Sequence, residues 1–250
     1  MNSLSAWSCP PDRPVLAAGE VHVWRATLEM DPATLDRLRQ TLAPEERTRA
    51  ERFQFPKDRA HFVAARGALR DILSRYLHRD PASLQFSYGP SGKPALACGA
   101  AAQEVRFNLS HSRELALYGV TRGGEIGIDV EHIAPEDARE RIAERFFSPR
   151  EVASLRSLPA YLQPQAFFNC WTRKEAYVKA RGDGLRIPLE SFDVSLIPGT
   201  PAALLRGVEP HWSLRELLAA PGYAAAVVAD GHDWPLRLWQ WPGVRAAVGS

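Results

Sequence analysis

The chain has 250 residues, of which 45% are hydrophobic and 24% are charged, and its formal net charge at pH 7 is +2. These proportions are typical of a globular protein, and the length allows one large domain or two small ones. The nearly balanced charge argues against nucleic acid as a partner, because nucleic-acid binders usually carry a strong basic excess. A small anion needs only a local basic pocket, so it remains a candidate ligand.

The N-terminal sequence and the cysteines indicate where the protein works. The first residues contain neither a basic segment nor a long apolar core, so no signal peptide is expected. No apolar run approaches the roughly 20 residues of a membrane span, and we expect no membrane partner. Cys9, Cys98 and Cys170 are far apart, odd in number and without zinc-site spacing. Plain thiols in a reducing cytoplasm fit this pattern best.

The first part of the chain predicts one strand followed by three helices. Residues 19–29 alternate apolar and polar side chains, as a half-buried strand does. A short helix opens at Asp31, and a very charged helix runs over 44–52. Apolar residues at helical spacing predict a longer helix over 58–77.

The middle of the chain predicts a hairpin between two strands. A dense turn signal covers residues 88–94, and a strand is expected over 105–109. Further strands over 115–120 and 125–131 are joined by residues 122–124, a hairpin-type connection. This connection is the plausible boundary between two halves of the chain.

The remainder of the chain mixes helices and short strands. Helices are expected at about 136–146, 149–157 and 165–181. Short strands are expected over four segments: 191–196, 212–216, 224–229 and 236–241. The whole pattern predicts an α+β fold with largely antiparallel sheets.

Two carboxylates lie two residues apart on the strand expected over 125–131. Asp129 and Glu131 therefore point to the same face of that strand. Magnesium prefers oxygen ligands and commonly takes one or two carboxylates together with phosphate oxygens and water. The alternative is an exposed strand face that carries solvated acids. Repulsion between two close like charges mildly favours a cation between them.

A glutamate and a lysine are neighbours on the helix expected over 165–181. Glu175 and Lys179 are four residues apart and share one face. The simplest alternative is a surface ion pair worth about 0.3–0.5 kcal/mol. Apolar residues at Phe168, Trp171 and Val178 indicate that one side of the helix is packed, which would hold Glu175 on a rigid element.

Ser110 and His111 follow directly on the strand expected over 105–109. A hydroxyl, an imidazole and the backbone N–H groups there could bind a phosphate. A nucleophilic Ser–His dyad is disfavoured, because adjacent residues on an extended chain point to opposite faces. A polar turn with an incidental histidine is the alternative.

Two further groups have a structural explanation beside a chemical one. Ser148 and Glu151 have the spacing of a helix capping box, although Glu151 could also be a third acid near a metal. Arginines are frequent over 47–66, and arginines bind phosphate well. A solvated helix face with neighbouring glutamates is the alternative for them.

The order and spacing of four segments carry a family resemblance. The segments are FNLSHS at 107–112, GIDVE at 127–131, FFSPRE at 146–151 and WTRKEAYVKARGDGL at 171–185. Together they resemble the Sfp-type 4′-phosphopantetheinyl transferases. RFQFPKDRAHFVAARGALR at 52–70 and SGKP at 91–94 are similar to the N-terminal half of that family. The resemblance covers roughly residues 43–195.

The resemblance implies an α+β fold of two similar halves, packed as an intramolecular pseudo-dimer in a monomeric chain. Residues 1–122 would form the N-terminal half, with contacts to the nucleotide of coenzyme A. Residues 123–250 would form the C-terminal half, with the metal ligands and the catalytic helix.

The resemblance also implies roles for individual residues. Asp129, Glu131 and Glu175 would bind Mg²⁺, with Mn²⁺ as the alternative cation. Coenzyme A contacts would come from Arg49, Arg66, Lys93, Ser110, His111 and Lys179. The catalytic residues would be Glu175, Lys179 and Glu151, with Glu175 preferred to Glu151 as the general base.

The implied reaction is transfer of the 4′-phosphopantetheine of coenzyme A to a serine of an apo acyl or peptidyl carrier protein, which releases 3′,5′-ADP. Carriers of fatty-acid, polyketide and nonribosomal peptide synthesis all remain candidates. Family subtypes pair a Phe-type first motif with KES or a Trp-type one with KEA; this chain pairs Phe107 with KEA, which blurs its carrier preference. The alternatives are a non-catalytic module that binds coenzyme A or a carrier protein, and a metal-dependent phosphohydrolase.

Overall fold

The computed structural model describes residues 7–89, 92–97, 104–134, 139–182, 184 and 187–243. Its helices are α1 (Pro32–Thr41), α2 (Pro44–Glu51), α3 (Pro56–Leu77), α4 (Arg139–Phe146), α5 (Pro149–Ser157) and α6 (Gln163–Arg181). Its strands are β1 (Val21–Thr27), β2 (Phe86–Tyr88), β3 (Pro94–Leu96), β4 (Val105–Ser112), β5 (Leu115–Arg122), β6 (Ile126–His132), β7 (Trp212–Glu216), β8 (Tyr223–Asp230) and β9 (Leu236–Gln240). Cys98, the expected start of α4 over 136–138, and three residues of the quoted motifs (Ser91, Asp183 and Leu185) lie outside the described residues.

The described strands form three sheets. The first has the order β4-β5-β1-β9, in which only β1 and β9 run parallel. The second is the short antiparallel pair β2-β3, and the third has the antiparallel order β6-β8-β7. The expectation of largely antiparallel sheets is confirmed.

The two large sheets repeat one topology. In the first half the chain runs through β1, the helices up to α3, then β4 and β5, and β5 lies between β4 and β1. In the second half it runs through β6, the helices up to α6, then β7 and β8, and β8 lies between β7 and β6. The chain therefore contains two similar α+β halves.

Buried ion pairs repeat in the same way. Arg70 of α3 bonds Glu46 at the start of α2 at 2.7 Å and also reaches carbonyls in the turn that follows α3. Lys174 of α6 bonds Glu151 at the start of α5 at 2.8 Å and also reaches carbonyls in the turn that follows α6. Each pair ties two helices and a turn together inside its own half.

The hairpin expected across residues 122–124 is wrong in its pairing. In the described chain β5 hydrogen-bonds within the first sheet and β6 within the third, so the turn carries the chain from one sheet to the other. Ile126, Ile128 and Val130 of β6 are fully buried in a core shared by both sheets. Burial of this apolar face between the sheets replaces the edge-to-edge pairing of a hairpin.

The strand expected over 191–196 is also wrong. The segment starts in a single 3₁₀ turn (Leu189–Ser191), and Val194 then makes an isolated bridge to Leu204. Asp193 and Ser195 make backbone bonds to residues 203–206 on either side of this bridge. Other backbone groups of the segment bond to buried side chains: Lys174 donates to the Phe192 carbonyl, and Glu151 accepts from the N–H of Val194. The backbone pairing is therefore limited to a few residues, and side chains satisfy these two further groups.

The C-terminal strand returns to the first half. Strand β9 lies beside β1, and the indole of Trp241 then donates to Asp71 Oδ2 of α3 at 2.8 Å. Arg75 bonds the same carboxylate at 2.8 Å and the carbonyl of Gly243 at 3.3 Å. The division at residues 122 and 123 stays a prediction, because this later segment completes the earlier sheet. No helix in the described ranges has both the length and the apolar character to cross a lipid bilayer.

Candidate active site

The close approach of α6 to β6 depends on a glycine. A Cβ on Gly127 would lie 2.0 Å from the carbonyl oxygen of Ala176 and 2.2 Å from the nitrogen of Ala180. No side chain fits between the strand and the helix backbone at those distances. Because the helix rests directly on the strand, Glu175 and Lys179 come close to Asp129.

Strand β4, strand β6 and helix α6 enclose a small cavity of about 350 Å³, which we call the acidic cavity. Its lining comprises Leu109, Ser110, His111, Asp129, Glu131, Trp171, Glu175 and Lys179. The four residues expected from the sequence at the metal and the pyrophosphate, Asp129, Glu131, Glu175 and Lys179, belong to this lining. Ser110 and His111, expected at the nucleotide end of coenzyme A, belong to it as well.

Alternate side chains of β4 bond to β6 across the cavity. Ser110 Oγ donates to Asp129 Oδ1 at 2.8 Å, and Ser112 Oγ donates to Glu131 Oε2 at 2.8 Å. One step further along, Asn108 Oδ1 accepts from the backbone N–H of Ile128 at 2.9 Å. This polar ladder fixes the orientation of both carboxylates.

Asp129 is a buried anion with one unsatisfied oxygen. The residue is 2% exposed, so a solvated strand face is the wrong description of it. Its Oδ1 atom accepts from Lys179 Nζ at 2.6 Å. Its Oδ2 atom is buried and lacks a hydrogen-bond partner among the described residues. A buried acceptor without a partner is costly and marks a place where a ligand would bind.

The pKa values of the two other acids of the cavity, Glu131 and Glu175, are both raised. Burial raises the pKa of Glu131, and the negative charge of Asp129 raises it further. Burial and Asp129 likewise raise the pKa of Glu175, against the opposing effect of Lys179. Each shift means that the ionised form is disfavoured by burial and by a like charge. The cavity therefore lacks positive charge relative to its carboxylates.

These carboxylates fit a divalent cation, although they do not converge as a finished site. Within the described ranges, no three His, Cys, Asp or Glu side chains are gathered closely enough to hold a metal ion. The ammonium of Lys179 instead bonds Asp129. The unpartnered Asp129 oxygen and the raised pKa values of its neighbours are what an all-oxygen site for a hard cation would relieve. The metal assignment stays a prediction.

A second cavity adjoins the first and carries basic groups. It has a volume of about 560 Å³ and shares Leu109 and His111 with the acidic cavity. We call it the basic pocket, and its lining also includes Arg49, Phe53, Asp58, His61, Phe62, Ala65, Arg66, Tyr88, Gly92, Pro94 and Arg113. Three arginines and two histidines beside the rings of two phenylalanines and one tyrosine suit a phosphorylated aromatic ligand.

The environment of His111 and Arg49 in the basic pocket favours the binding of an anion. Desolvation lowers the pKa of His111, and the positive charges of Lys179 and His61 lower it further. An incoming phosphate would reverse this effect, since a nearby anion favours the protonated ring. The guanidinium of Arg49 lies 5.3 Å from the centre of the Phe62 ring, a cation–π contact.

Two family models match consecutive parts of this chain. One, described as "4′-phosphopantetheinyl transferase, N-terminal", matches residues 24–120, and the other, described as "4′-phosphopantetheinyl transferase superfamily", matches residues 125–228. The 4′-phosphopantetheinyl transferase HetI of Nostoc sp. is 43% identical over 94% of this chain and 98% of its own length. The chain belongs to the 4′-phosphopantetheinyl transferase superfamily. The transferase Sfp of Bacillus subtilis is 30% identical over 80% of this chain and 87% of its own length.

The contacts of Glu151 bear on whether it has a catalytic role or a structural one. Its Oε2 accepts from the N–H of Ser148 at 2.8 Å and from Lys174, while its Oε1 accepts from the N–H of Val194 at 2.8 Å. The capping box expected from the sequence is present. Glu151 is 3% exposed and is absent from the described lining of both cavities. These contacts favour the structural explanation over a catalytic one.

Arg66 lines the basic pocket, but protein groups already occupy its guanidinium. Its Nε bonds Glu46 Oε1 at 2.5 Å, and its Nη2 donates to the hydroxyl of Tyr88. The residue is 7% exposed and also lies over the Phe86 ring. Its contacts are those of a residue that supports the pocket wall.

Several residues of the site were not expected from the sequence. Ser112 and Asn108 complete the ladder between β4 and β6, and the alternation of polar residues over 108–112 was the signal that could have found them. His61 and Tyr88 enter the basic pocket from α3 and β2. Their positions depend on contacts between distant segments, so no local pattern marked them.

Proposed function

We propose that this protein transfers the 4′-phosphopantetheine group of coenzyme A to the serine hydroxyl of an apo acyl or peptidyl carrier protein and releases 3′,5′-ADP. The observation that carries the proposal is the junction of the two cavities at Leu109 and His111. Coenzyme A has a phosphorylated nucleoside joined to a pyrophosphate. A basic pocket beside a cavity with three acids and a lysine suits these two parts.

The residues of the basic pocket would hold the nucleotide end. Arg49 and His111, which both line the pocket, would bind its phosphate. An approaching phosphate would favour the protonated form of the His111 ring. Arg66 and Tyr88 would form the wall beside the adenine ring. Ser110, which bonds Asp129, would act mainly by orienting that carboxylate.

The acidic cavity would hold the pyrophosphate. Asp129, Glu131 and Glu175 would bind Mg²⁺ or Mn²⁺, and such a cation would neutralise charge on the phosphate oxygens. The ammonium of Lys179 would share its hydrogen bonds between Asp129 and the phosphate that leaves with the nucleotide. We propose Mg²⁺ because this hard cation prefers oxygen ligands and is usually bound by one or two carboxylates together with the phosphate oxygens of a substrate.

Glu175 is the proposed general base. Burial and Asp129 raise its pKa, which brings the carboxylate closer to the pH at which it would take the proton of the carrier serine. Glu151 is less suited, because backbone N–H groups and Lys174 already occupy its oxygens. Positioning and charge neutralisation would supply most of the acceleration.

Further parts of the proposal concern the protein in its setting. We propose that it acts as a monomer in the cytoplasm, with a carrier protein and coenzyme A as partners and without nucleic acid or membrane. The doubled α+β unit supports the monomer, because both walls of the junction between the cavities come from one chain. The division near residues 122 and 123 is proposed on the same basis.

The test is the intact mass of an apo carrier protein after incubation with this protein, coenzyme A and Mg²⁺. We expect a gain of one phosphopantetheine unit, lost when EDTA is added and absent from a carrier whose acceptor serine is alanine. Coenzyme A binding without a mass gain on several carriers would support the binding module instead. Release of nucleotide without any carrier would support the phosphohydrolase.

A further inference from the structure

The ammonium of Lys93 is fully committed to protein acceptors. Lys93 lies on the connection between β2 and β3, and its Nζ donates to Glu125 Oε2 at 3.0 Å, to the Ile126 carbonyl at 3.2 Å and to the Ala180 carbonyl at 3.3 Å. A lysine ammonium has three N–H donors and no more. No donor is left for a phosphate while these three bonds persist.

The two carbonyl acceptors belong to elements that build the acidic cavity, and Glu125 directly precedes one of them. Ile126 begins β6, three residues before Asp129, and Ala180 follows Lys179 on α6. The Ala180 carbonyl is one of the last four of the helix, which have no partner within the helix. A cation at this end also interacts favourably with the helix dipole. Lys93 therefore caps the helix end next to Lys179.

The other side of the contact is the wall of the basic pocket. Tyr88, Gly92 and Pro94 from the same β2–β3 segment line that pocket, whereas Lys93 is absent from its described lining. The carboxylate of Glu125 is itself held by Arg106 at 3.1 Å. Lys93 thus joins Glu125 and the first residue of β6 to the segment that carries the pocket wall.

We propose that Lys93 is a positioning residue that fastens the β2–β3 wall of the basic pocket to β6 and α6, and that it makes no contact with the 3′-phosphate of coenzyme A. This inference rests on the proposed transferase function. It departs from the role that the family resemblance gives to this lysine.

Substitutions at Lys93 separate positioning from phosphate contact. Lys93→Met keeps the stem and removes the ammonium. Because both cavity walls shift, we expect kcat/KM to fall about tenfold for coenzyme A and by the same factor for 3′-dephospho-coenzyme A, with part of the loss in kcat. Lys93→Arg should not rescue, since a planar guanidinium cannot place donors on three acceptors arranged around one nitrogen. Lys57→Met, at an exposed lysine of the same half, is the matched control and should leave both substrates unchanged.

A direct contact with the 3′-phosphate gives the opposite pattern. Lys93→Met would then impair coenzyme A alone, and Lys93→Arg would recover activity, because arginine binds phosphate well. Either result overturns the proposal. Glu125→Gln should reproduce the kinetic change of Lys93→Met in weaker form; a wild-type profile in Glu125→Gln would also count against the proposal.

An unfolding experiment tests the contact without relying on activity. In urea, the double variant Lys93→Met with Glu125→Gln should unfold at the midpoint of the less stable single variant, because both changes break one contact. If the changes in the urea midpoint of the two single variants add up in the double variant, the contact is contradicted. If the wild-type protein transfers nothing to any carrier, the proposed function fails, and this unfolding cycle still decides the contact.

Discussion

Removal of the Asp129 carboxylate should abolish transfer and leave the fold nearly as stable as before. The carboxylate bonds Ser110 and Lys179 and is 2% exposed. Loss of one partner from a fully buried ion pair costs about 3–5 kcal/mol. Lys179, however, keeps 28% of its side chain exposed, so water can solvate the ammonium after the change. The direct cost of losing the pair is therefore about 1–2 kcal/mol.

Relief of repulsion offsets part of this cost. Asp129 raises the pKa of both Glu131 and Glu175, which means that the three negative charges oppose one another in the folded protein. Asp129→Ala removes one of these charges and lowers the pKa of the other two acids. We expect the free energy of unfolding to fall by no more than about 1.5 kcal/mol.

Two assays on the same preparation give the result. Carrier modification by mass spectrometry should fall at least about 100-fold in Asp129→Ala, since charge stabilisation of the transferring group is lost. Asp129→Asn, which still accepts from Ser110, should be equally inactive because the charge is what matters. Urea unfolding supplies the stability. Normal turnover in either variant would refute the metal assignment, and a loss above about 4 kcal/mol would refute the account of mutual repulsion.

Three further predictions concern stability. Gly127→Ala should prevent stable folding or push α6 off β6, seen as a large drop in melting temperature and loss of activity, because a Cβ would overlap the helix backbone; near-normal stability would contradict the close approach. Trp241→Phe should cost about 1–2 kcal/mol, since it leaves the buried Asp71 oxygen without its indole donor. Trp239→Phe is its control, because that indole nitrogen has no partner in the described part of the chain, and equal losses would sink the explanation. Burial lowers the pKa of His22, so its folded form resists protonation, and stability should decline as pH falls below about 6.5, the unfolded value. The urea unfolding midpoint of His22→Gln should vary less with pH over this range than the midpoint of the wild-type protein.

The parts of the site that the sequence predicted correctly are those fixed by local periodicity. Asp129 and Glu131 share a face because a strand alternates, and Glu175 and Lys179 share one because a helix repeats near four residues. The Ser148–Glu151 capping box is equally local. These relations hold wherever the element lies in the fold, so the residues alone were sufficient.

The failures involve partners that are distant along the chain. The strand β6 looks like half of a hairpin, yet its apolar face fits between two sheets, and a strand pattern does not say which strand lies beside it. Residues 191–196 have strand character, but their backbone pairing is limited to a bridge with residues 203–206, and buried Lys174 and Glu151 bond the Phe192 carbonyl and the Val194 N–H. Lys93 and Arg66 have basic side chains suited to phosphate, and only the tertiary contacts reveal that protein groups occupy them.

The repeated halves have a consequence for how many active centres one chain can have. Arg70 corresponds to Lys174, so the buried pair Asp71 and Arg75 stands where the second half has Glu175 and Lys179. When the last paired residues of β1 and β6, Thr27 and His132, are aligned, Trp24 takes the position of Asp129. Arg75 lies 5.6 Å from the centre of that indole ring.

The first-half counterpart of the cavity is thus filled by protein. An aromatic ring replaces the central carboxylate, and Trp241 and Gly243 occupy the remaining polar groups. The two halves are therefore asymmetric: the charged groups of the second half face a cavity, whereas those of the first half bind Trp241 and the carbonyl of Gly243. Coenzyme A should accordingly bind with a stoichiometry of one per chain, despite the doubled architecture.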